Sequence, residues 1–177
     1  MERVDLRKTM RIVEGFPEPG ISYKDITTIL QDPAALHEMV RSLIEGLEGI
    51  DYDYVLGVES RGFICGIAVA HAAGKGFLMA RKPGKLPGRI IRQEYELEYG
   101  HAALELDADS MPRGAKCVII DDLLATGGTS AAACKLVEQA GGEVAAVEFL
   151  TELDYLGGRK TLEDLGYRVV SILRWER

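Results

Sequence analysis

The stretch Val118-Ile119-Ile120-Asp121-Asp122-Leu123-Leu124-Ala125-Thr126-Gly127-Gly128-Thr129-Ser130 decides the fold. Its first three residues are β-branched and read as a buried strand. Two carboxylates, Asp121 and Asp122, follow where that strand is expected to end. A loop of small residues runs from Ala125 to Ser130, and an alanine-rich stretch with helical spacing, 131–140, completes the unit. Strand, acid pair, glycine loop and helix start together suit a sugar that bears a phosphate. Glycines let backbone N–H groups close on the phosphate, and a helix N-terminus adds positive potential. The acids can accept hydrogen bonds from hydroxyls. An ordinary strand–loop–helix turn can also carry two acids, but here each part has the chemistry its neighbour requires.

Other phosphate loops fit less well. No lysine follows Gly127 or Gly128, as a nucleoside-triphosphate loop requires. Gly57 and Gly62 have the glycine spacing of such a loop, yet Phe63 stands where its lysine belongs. No G-x-G-x-x-G is present, so a dinucleotide fingerprint is missing. A phosphomonoester cradle remains the best reading.

Outward from this unit, strands and helices alternate. Leu6, Met10 and Val13 predict a short first helix, broken by Phe16-Pro17-Glu18-Pro19-Gly20. Asp32-Pro33 opens a second, with Asp as cap and Pro in the first turn; its apolar stripe runs from Leu36 to Leu47, and Gly49 stops it. Strands are expected over 54–58, 77–80, 144–150 and 169–173, and helices over 63–73 and around 159–165. Residues 90–97 and 102–106 read as a β-hairpin. The expectation is an α/β fold of one domain, 1–177: a mainly parallel central sheet flanked by helices on both faces, with a hairpin lid and an N-terminal hood. Ligands in such sheets sit beyond the carboxyl ends of the strands, where the candidate residues fall.

Composition narrows the function. Of 177 residues 47% are apolar, enough to bury a sizeable core. No apolar run approaches a membrane span, and the N-terminus lacks the apolar core of a signal peptide. Cys65, Cys117 and Cys134 are scattered in apolar segments, reading as buried thiols of a cytoplasmic protein. A net charge of −7 disfavours nucleic acid as a partner. His37, His71 and His101 have no metal-ligand spacing, and no metal-ligating residue is expected.

That acidic balance makes two basic loops conspicuous. Gly57-Val58-Glu59-Ser60-Arg61-Gly62 places a cation, Arg61, between a buried strand and a buried helix. Arg81-Lys82-Pro83-Gly84-Lys85-Leu86-Pro87-Gly88-Arg89 holds four cations in nine residues and no acid. A solvated turn explains a charge run in general, but pyrophosphate and magnesium chemistry needs cationic partners. Residues 83–101 form a long excursion with glycine at both ends, suited to excluding water.

Four motifs in this order (FPxPG followed by Ser22-Tyr23-Lys24-Asp25-Ile26, Ser60-Arg61-Gly62, RKxGKLP and LEYG), together with DDLLATGGT, resemble the type I phosphoribosyltransferases, and within them the adenine-using branch. The resemblance implies that adenine and phosphoribosyl pyrophosphate give AMP and pyrophosphate, with magnesium chelated by the substrate and waters, in a homodimer. It implies that Ala125, Thr126, Gly127, Gly128 and Thr129 hold the 5′-phosphate. Asp121 and Asp122 face the ribose hydroxyls and steady positive charge on the sugar. Adjacent strand residues point to opposite faces, so one acid is expected to act indirectly. The resemblance further implies that Ser60, Arg61, Arg81, Lys82 and Lys85 meet the pyrophosphate, and that the peptide near Glu59-Ser60 is cis. Ser22, Tyr23 and Lys24 surround the base through backbone bonds and stacking, with Leu123 on its other face. Glu98 handles the proton on the neighbouring base nitrogen, and Tyr99 touches the phosphate region or the base. Relatives often have Phe-Arg where this chain has Tyr23-Lys24, and lysine lacks the arginine fork. Two alternatives stay open from the sequence: hypoxanthine, guanine or xanthine as the base, or a non-catalytic regulator that binds phosphoribosyl pyrophosphate. The few residues before Phe16 leave little room for the DNA-binding domain such a regulator carries.

Overall fold

The chain enters through α1 (Leu6–Thr9), whose Asp5 cap accepts hydrogen bonds from the N–H groups of Arg7 and Lys8. A computed structural model describes residues 3–96 and 100–176. Helical spacing predicts Val13 in the first helix, but the helix ends at Thr9 and Val13 lies in β1 (Arg11–Glu14). Pairing decides this: β1 runs antiparallel to β2 (Ser22–Asp25), and Arg11 Nε donates to Asp25 Oδ2 at 2.9 Å. This two-stranded ribbon is the hood, and its connecting turn contains a cis Phe16–Pro17 bond.

After α2 (Thr27–Gln31) comes α3 (Pro33–Gly46), capped by Asp32, which accepts from the N–H groups of Ala34 and Ala35. Then follow β3 (Tyr54–Val58), α4 (Arg61–Ala73) and β4 (Gly76–Ala80). The hairpin β5 (Ile90–Glu96) and β6 (His101–Asp107) precedes β7 (Lys116–Leu124) and α5 (Gly128–Gln139). The chain closes with β8 (Glu143–Leu153), a 3-10 turn, α6 (Gly158–Asp164) and β9 (Val169–Trp175).

The central sheet has the order β4-β3-β7-β8-β9 and is parallel at every pairing. Strand alternation sends Ile119 to one face, into a core under α5 and α6, and Val118 and Ile120 to the other, under α3 and α4. All three are fully buried, each stabilising by about 1.5–3 kcal/mol. β7 runs past the acids to Leu124 because the long β8 keeps pairing with it, Asp121 opposite Phe149 and Leu124 opposite Glu152. A strand ending before Asp121 is therefore corrected.

The excursion expected over 83–101 also changes. The hairpin stem is docked, not free: Leu104 and Leu106 belong to the core, with Ile91 and Tyr95 packed against it. Gln139 Nε2 donates to Gln93 Oε1 at 2.8 Å, tying the stem to α5. Glu98 and Tyr99 lie outside the described residues.

In this sheet β4 lies on one side of β3 while β7, β8 and β9 lie on the other. The order thus reverses between β3 and β7, and parallel sheets open a crevice at such a point.

Candidate active site

A cleft of about 500 Å³ lies at that reversal. One wall is the loop after β7, from Leu123 through Ala125, Thr126, Gly127 and Gly128 to Thr129 and Ser130. The other is the turn after β3, Glu59, Ser60 and Arg61, and Lys82 comes from the basic loop. The floor is Asp121 and Asp122. Both acids line the cleft.

The loop after β7 has its shape for a local reason. Gly127 caps α5 with φ +87°, a left-handed conformation that favours glycine. A Cβ there would also stand 2.9 Å from the Gly158 carbonyl oxygen. Gly158 in turn packs so closely that a Cβ would strike the Ala125 carbonyl oxygen. Two glycines from distant parts of the chain therefore press together beneath the loop. α5 then points its N-terminal N–H groups into the cleft, which suits an anion.

Across the cleft, the Glu59–Ser60 peptide is cis, as the resemblance implies, and α4 begins at Arg61. Arg61 Nε lies 2.8 Å from Asp122 Oδ2, and its guanidinium also donates to the Tyr23 hydroxyl. A Cβ at Gly62 would stand 2.8 Å from the Ile120 carbonyl oxygen and 2.9 Å from Asp121 Oδ1. Only glycine lets α4 start this close to the acidic strand. Asp121 Oδ1 accepts from the Asp122 N–H at 2.9 Å. Burial pushes the Asp121 carboxyl well above its ordinary range, with the neighbouring Asp122 charge adding to it. Burial also raises Asp122, against the opposing pull of Arg61. Carboxyls held this way ionise more readily once positive charge appears beside them.

The remaining candidates divide. Lys82 reaches the cleft, whereas Arg81 turns to Glu59 at 3.3 Å and to the Lys85 carbonyl. Lys85 is exposed and does not line the cleft. Tyr23 is brought to Arg61, with Phe16 edge-on at 5.2 Å between ring centroids. Ser22 and Lys24 turn their side chains elsewhere: Lys24 Nζ donates to Ser22 Oγ at 2.8 Å, and Ser22 Oγ to Glu14 Oε1 at 2.8 Å. β2 pairs only with β1 among the described strands, so its other edge keeps backbone groups outside any ladder.

Several residues of the site carry no sequence motif. Glu59 accepts from the Lys82 N–H at 2.8 Å, and this bond, with Arg81, lowers its carboxyl below the ordinary range. Buried Glu105 accepts from the Gly84 N–H at 2.9 Å and anchors the basic loop to the hairpin. Tyr95 lines the cleft from the hairpin stem, close to Gly128. An acid beside a basic loop and a tyrosine on a strand are common in surface segments, so only assembly marks them.

An open parallel sheet with a glycine-loop anion site, adjoining acids and a facing arginine at its reversal point defines the class. The family model for the phosphoribosyl transferase domain matches residues 22–176. The adenine phosphoribosyltransferase of Clostridium perfringens (strain SM101) is 50% identical over 98% of this chain and 99% of its own length. The crystal structure of the Thermoanaerobacter pseudethanolicus enzyme of that name superposes with a TM-score of 0.92, at 45% identity, covering 96% of this chain and 98% of that one. The enzyme from Saccharomyces cerevisiae, solved with adenine and an imino-altritol bisphosphate, superposes at 0.88 with 37% identity, covering 95% and 96%. The chain belongs to the adenine phosphoribosyltransferase family.

Proposed function

We propose that this protein transfers the 5-phosphoribosyl group of phosphoribosyl pyrophosphate to adenine, forming AMP and releasing pyrophosphate. One observation carries the reading: the acids Asp121 and Asp122 lie in the same cleft as two anion-binding walls, the α5 loop and the Arg61–Lys82 side. A phosphate seated on 125–129 leaves the ribose over the acids and the pyrophosphate towards Ser60, Arg61 and Lys82. The base then lies between the hood at Tyr23 and Leu123. Support for adenine is the yeast relative, which holds that base.

In the reaction the bond from C1 of the ribose to pyrophosphate breaks, and a bond to a base nitrogen forms. Positive charge grows on the sugar meanwhile, and Asp121 and Asp122 stabilise it. Arg61 and Lys82 meet the negative charge gathering on the leaving group, while Arg81 holds Glu59 and so shapes the basic loop. Glu98, in the proposal, takes the proton that the base gives up on the neighbouring nitrogen. Tyr99, in the proposal, touches the phosphate region or the base, and the lid excludes water, the competing nucleophile.

Magnesium fits as a companion of the substrate. Among the described residues no group of three His, Cys, Asp or Glu side chains is placed to hold a metal, whereas cleft carboxylates suit the waters of a substrate-borne ion. An ion bound there would supply neutralisation of the pyrophosphate charge. The proposal includes a homodimer and a cytoplasmic location. The exposed Ile64 and Ile67 on α4 favour a second copy against that helix. No helix among the described residues is long and apolar enough to cross a membrane.

The test is an assay of purified protein with phosphoribosyl pyrophosphate, magnesium and each of adenine, hypoxanthine, guanine and xanthine. AMP and pyrophosphate in equal amounts, with adenine the preferred base, are expected. Turnover of another base alone, or binding without pyrophosphate release, overturns the reading.

A further inference from the structure

Trp175 is the chain's one tryptophan and ends β9, the edge of the central sheet. Two cations lie over its ring. The Arg7 guanidinium carbon is 4.3 Å from the centroid, and Lys24 Nζ is 4.6 Å away. Arg7 also donates to the Arg174 carbonyl at 2.6 Å, fastening α1 to β9. The indole N–H is buried without a hydrogen-bond partner among the described residues, so the ring face supplies the polar contact seen at this side chain.

Gathering two like charges needs compensation. Lys24 is 8% exposed, and burial lowers its pKa, with Arg7 adding to the effect and Glu14 opposing it. The negative face of the indole supplies the rest. Glu14, Ser22, Lys24, Trp175 and Arg7 thus form one polar chain from the hood to the sheet edge. Neighbouring residues on a strand point to opposite sides. With Lys24 turned to Trp175, Tyr23 turns to Arg61, which lines the cleft.

We infer that Trp175 is a positioning residue for the base: by holding Lys24 it sets the orientation of β2, and so presents Tyr23 and the β2 backbone to the base. The inference rests on the proposed adenine site against the hood. It also gives the side chain at 24, a lysine where the resemblance leads one to expect arginine, a partner outside the cleft.

Steady-state kinetics of Trp175→Ala, Trp175→Phe and Lys24→Met test it, together with acrylamide quenching of Trp175 in the unliganded protein. Trp175→Ala is expected to raise the KM for adenine about fivefold, the scale of lost cation–aromatic contact. The KM for phosphoribosyl pyrophosphate should change less than about twofold. Trp175→Phe, which keeps an aromatic face, restores the adenine KM, and Lys24→Met raises it as the alanine variant does. Lys24→Met also makes Trp175 more easily quenched. Should Trp175→Ala fail to fold, the other two variants carry the same comparison. An unchanged adenine KM, or both KM values rising together, overturns the inference. So does unchanged quenching in Lys24→Met. A wild-type protein inactive on adenine but more quenchable in Lys24→Met instead overturns the functional reading.

Discussion

Arg61 lies 2.8 Å from Asp122 and, through the same guanidinium, donates to the Tyr23 hydroxyl. One side chain therefore joins helix α4, the acidic strand β7 and the hood. A lysine keeps the charge but has neither the planar fork nor the reach to serve both partners. Arg61→Lys is expected to lower kcat/KM for phosphoribosyl pyrophosphate at least tenfold, about 1.4 kcal/mol of transition-state stabilisation. Kinetics at saturating adenine check this, and a variant within twofold of wild type would show that charge alone suffices.

Asp121→Asn separates charge from shape. The amide oxygen still accepts from the Asp122 N–H, a 2.9 Å bond in the wild type, so the strand end keeps its form. What disappears is the carboxylate proposed to meet positive charge on the ribose. Turnover should fall at least about tenfold while the melting temperature stays near that of wild type. Unchanged kinetics remove Asp121 from the mechanism.

Gly158 tests the phosphate loop from behind. It does not line the cleft, yet a Cβ there meets the Ala125 carbonyl oxygen and presses on the Leu124 side chain. The Leu124 side chain can turn aside, but the Ala125 backbone cannot, so the loop must move. Misplacement of order 1 Å costs up to about 100-fold in rate. Gly158→Ala should lower kcat/KM at least about tenfold, with secondary structure by circular dichroism preserved. Full activity would mean that the loop does not depend on this packing.

The parallel sheet and the acid–glycine unit were legible because their signals are local. Val118-Ile119-Ile120 pack on two faces, and Gly127 takes the left-handed turn that its neighbours demand. Asp32 and Pro33 mark a helix start by cap chemistry alone. What sequence misses is set by pairing and contact. Val13 fits a helical stripe, yet antiparallel pairing with Tyr23 places it in a strand. The length of β7 depends on β8, which is distant in sequence. The contact of the Lys24 side chain with Trp175 joins two strands that lie far apart in the sequence. Glu59, Tyr95 and Gly158 carry no motif and acquire their roles only through assembly.

Glu148 supplies a pH-dependent stability term. It sits on β8 beneath α3, fully buried, with neither carboxyl oxygen hydrogen-bonded among the described residues. A Cβ on Gly46 of α3 would strike Oε1 and come within 3.1 Å of Val170. Burial raises the carboxyl from 4.5 to about 9. The folded protein therefore keeps this proton where the unfolded chain has released it, so between about pH 4.5 and 9 this group costs more stability as pH rises. The slope is at most about 1.4 kcal/mol per pH unit. Glu148→Gln removes the titration and nearly preserves the volume. Its melting temperature should exceed that of wild type at pH 8, with the gap closing towards pH 5. Gly46→Ala should destabilise the wild type, and Gly46→Ala combined with Glu148→Ala should recover part of that loss, because the colliding oxygen is gone. Thermal unfolding of the four proteins at both pH values decides. A gap that does not change with pH would mean that Glu148 is solvated in solution.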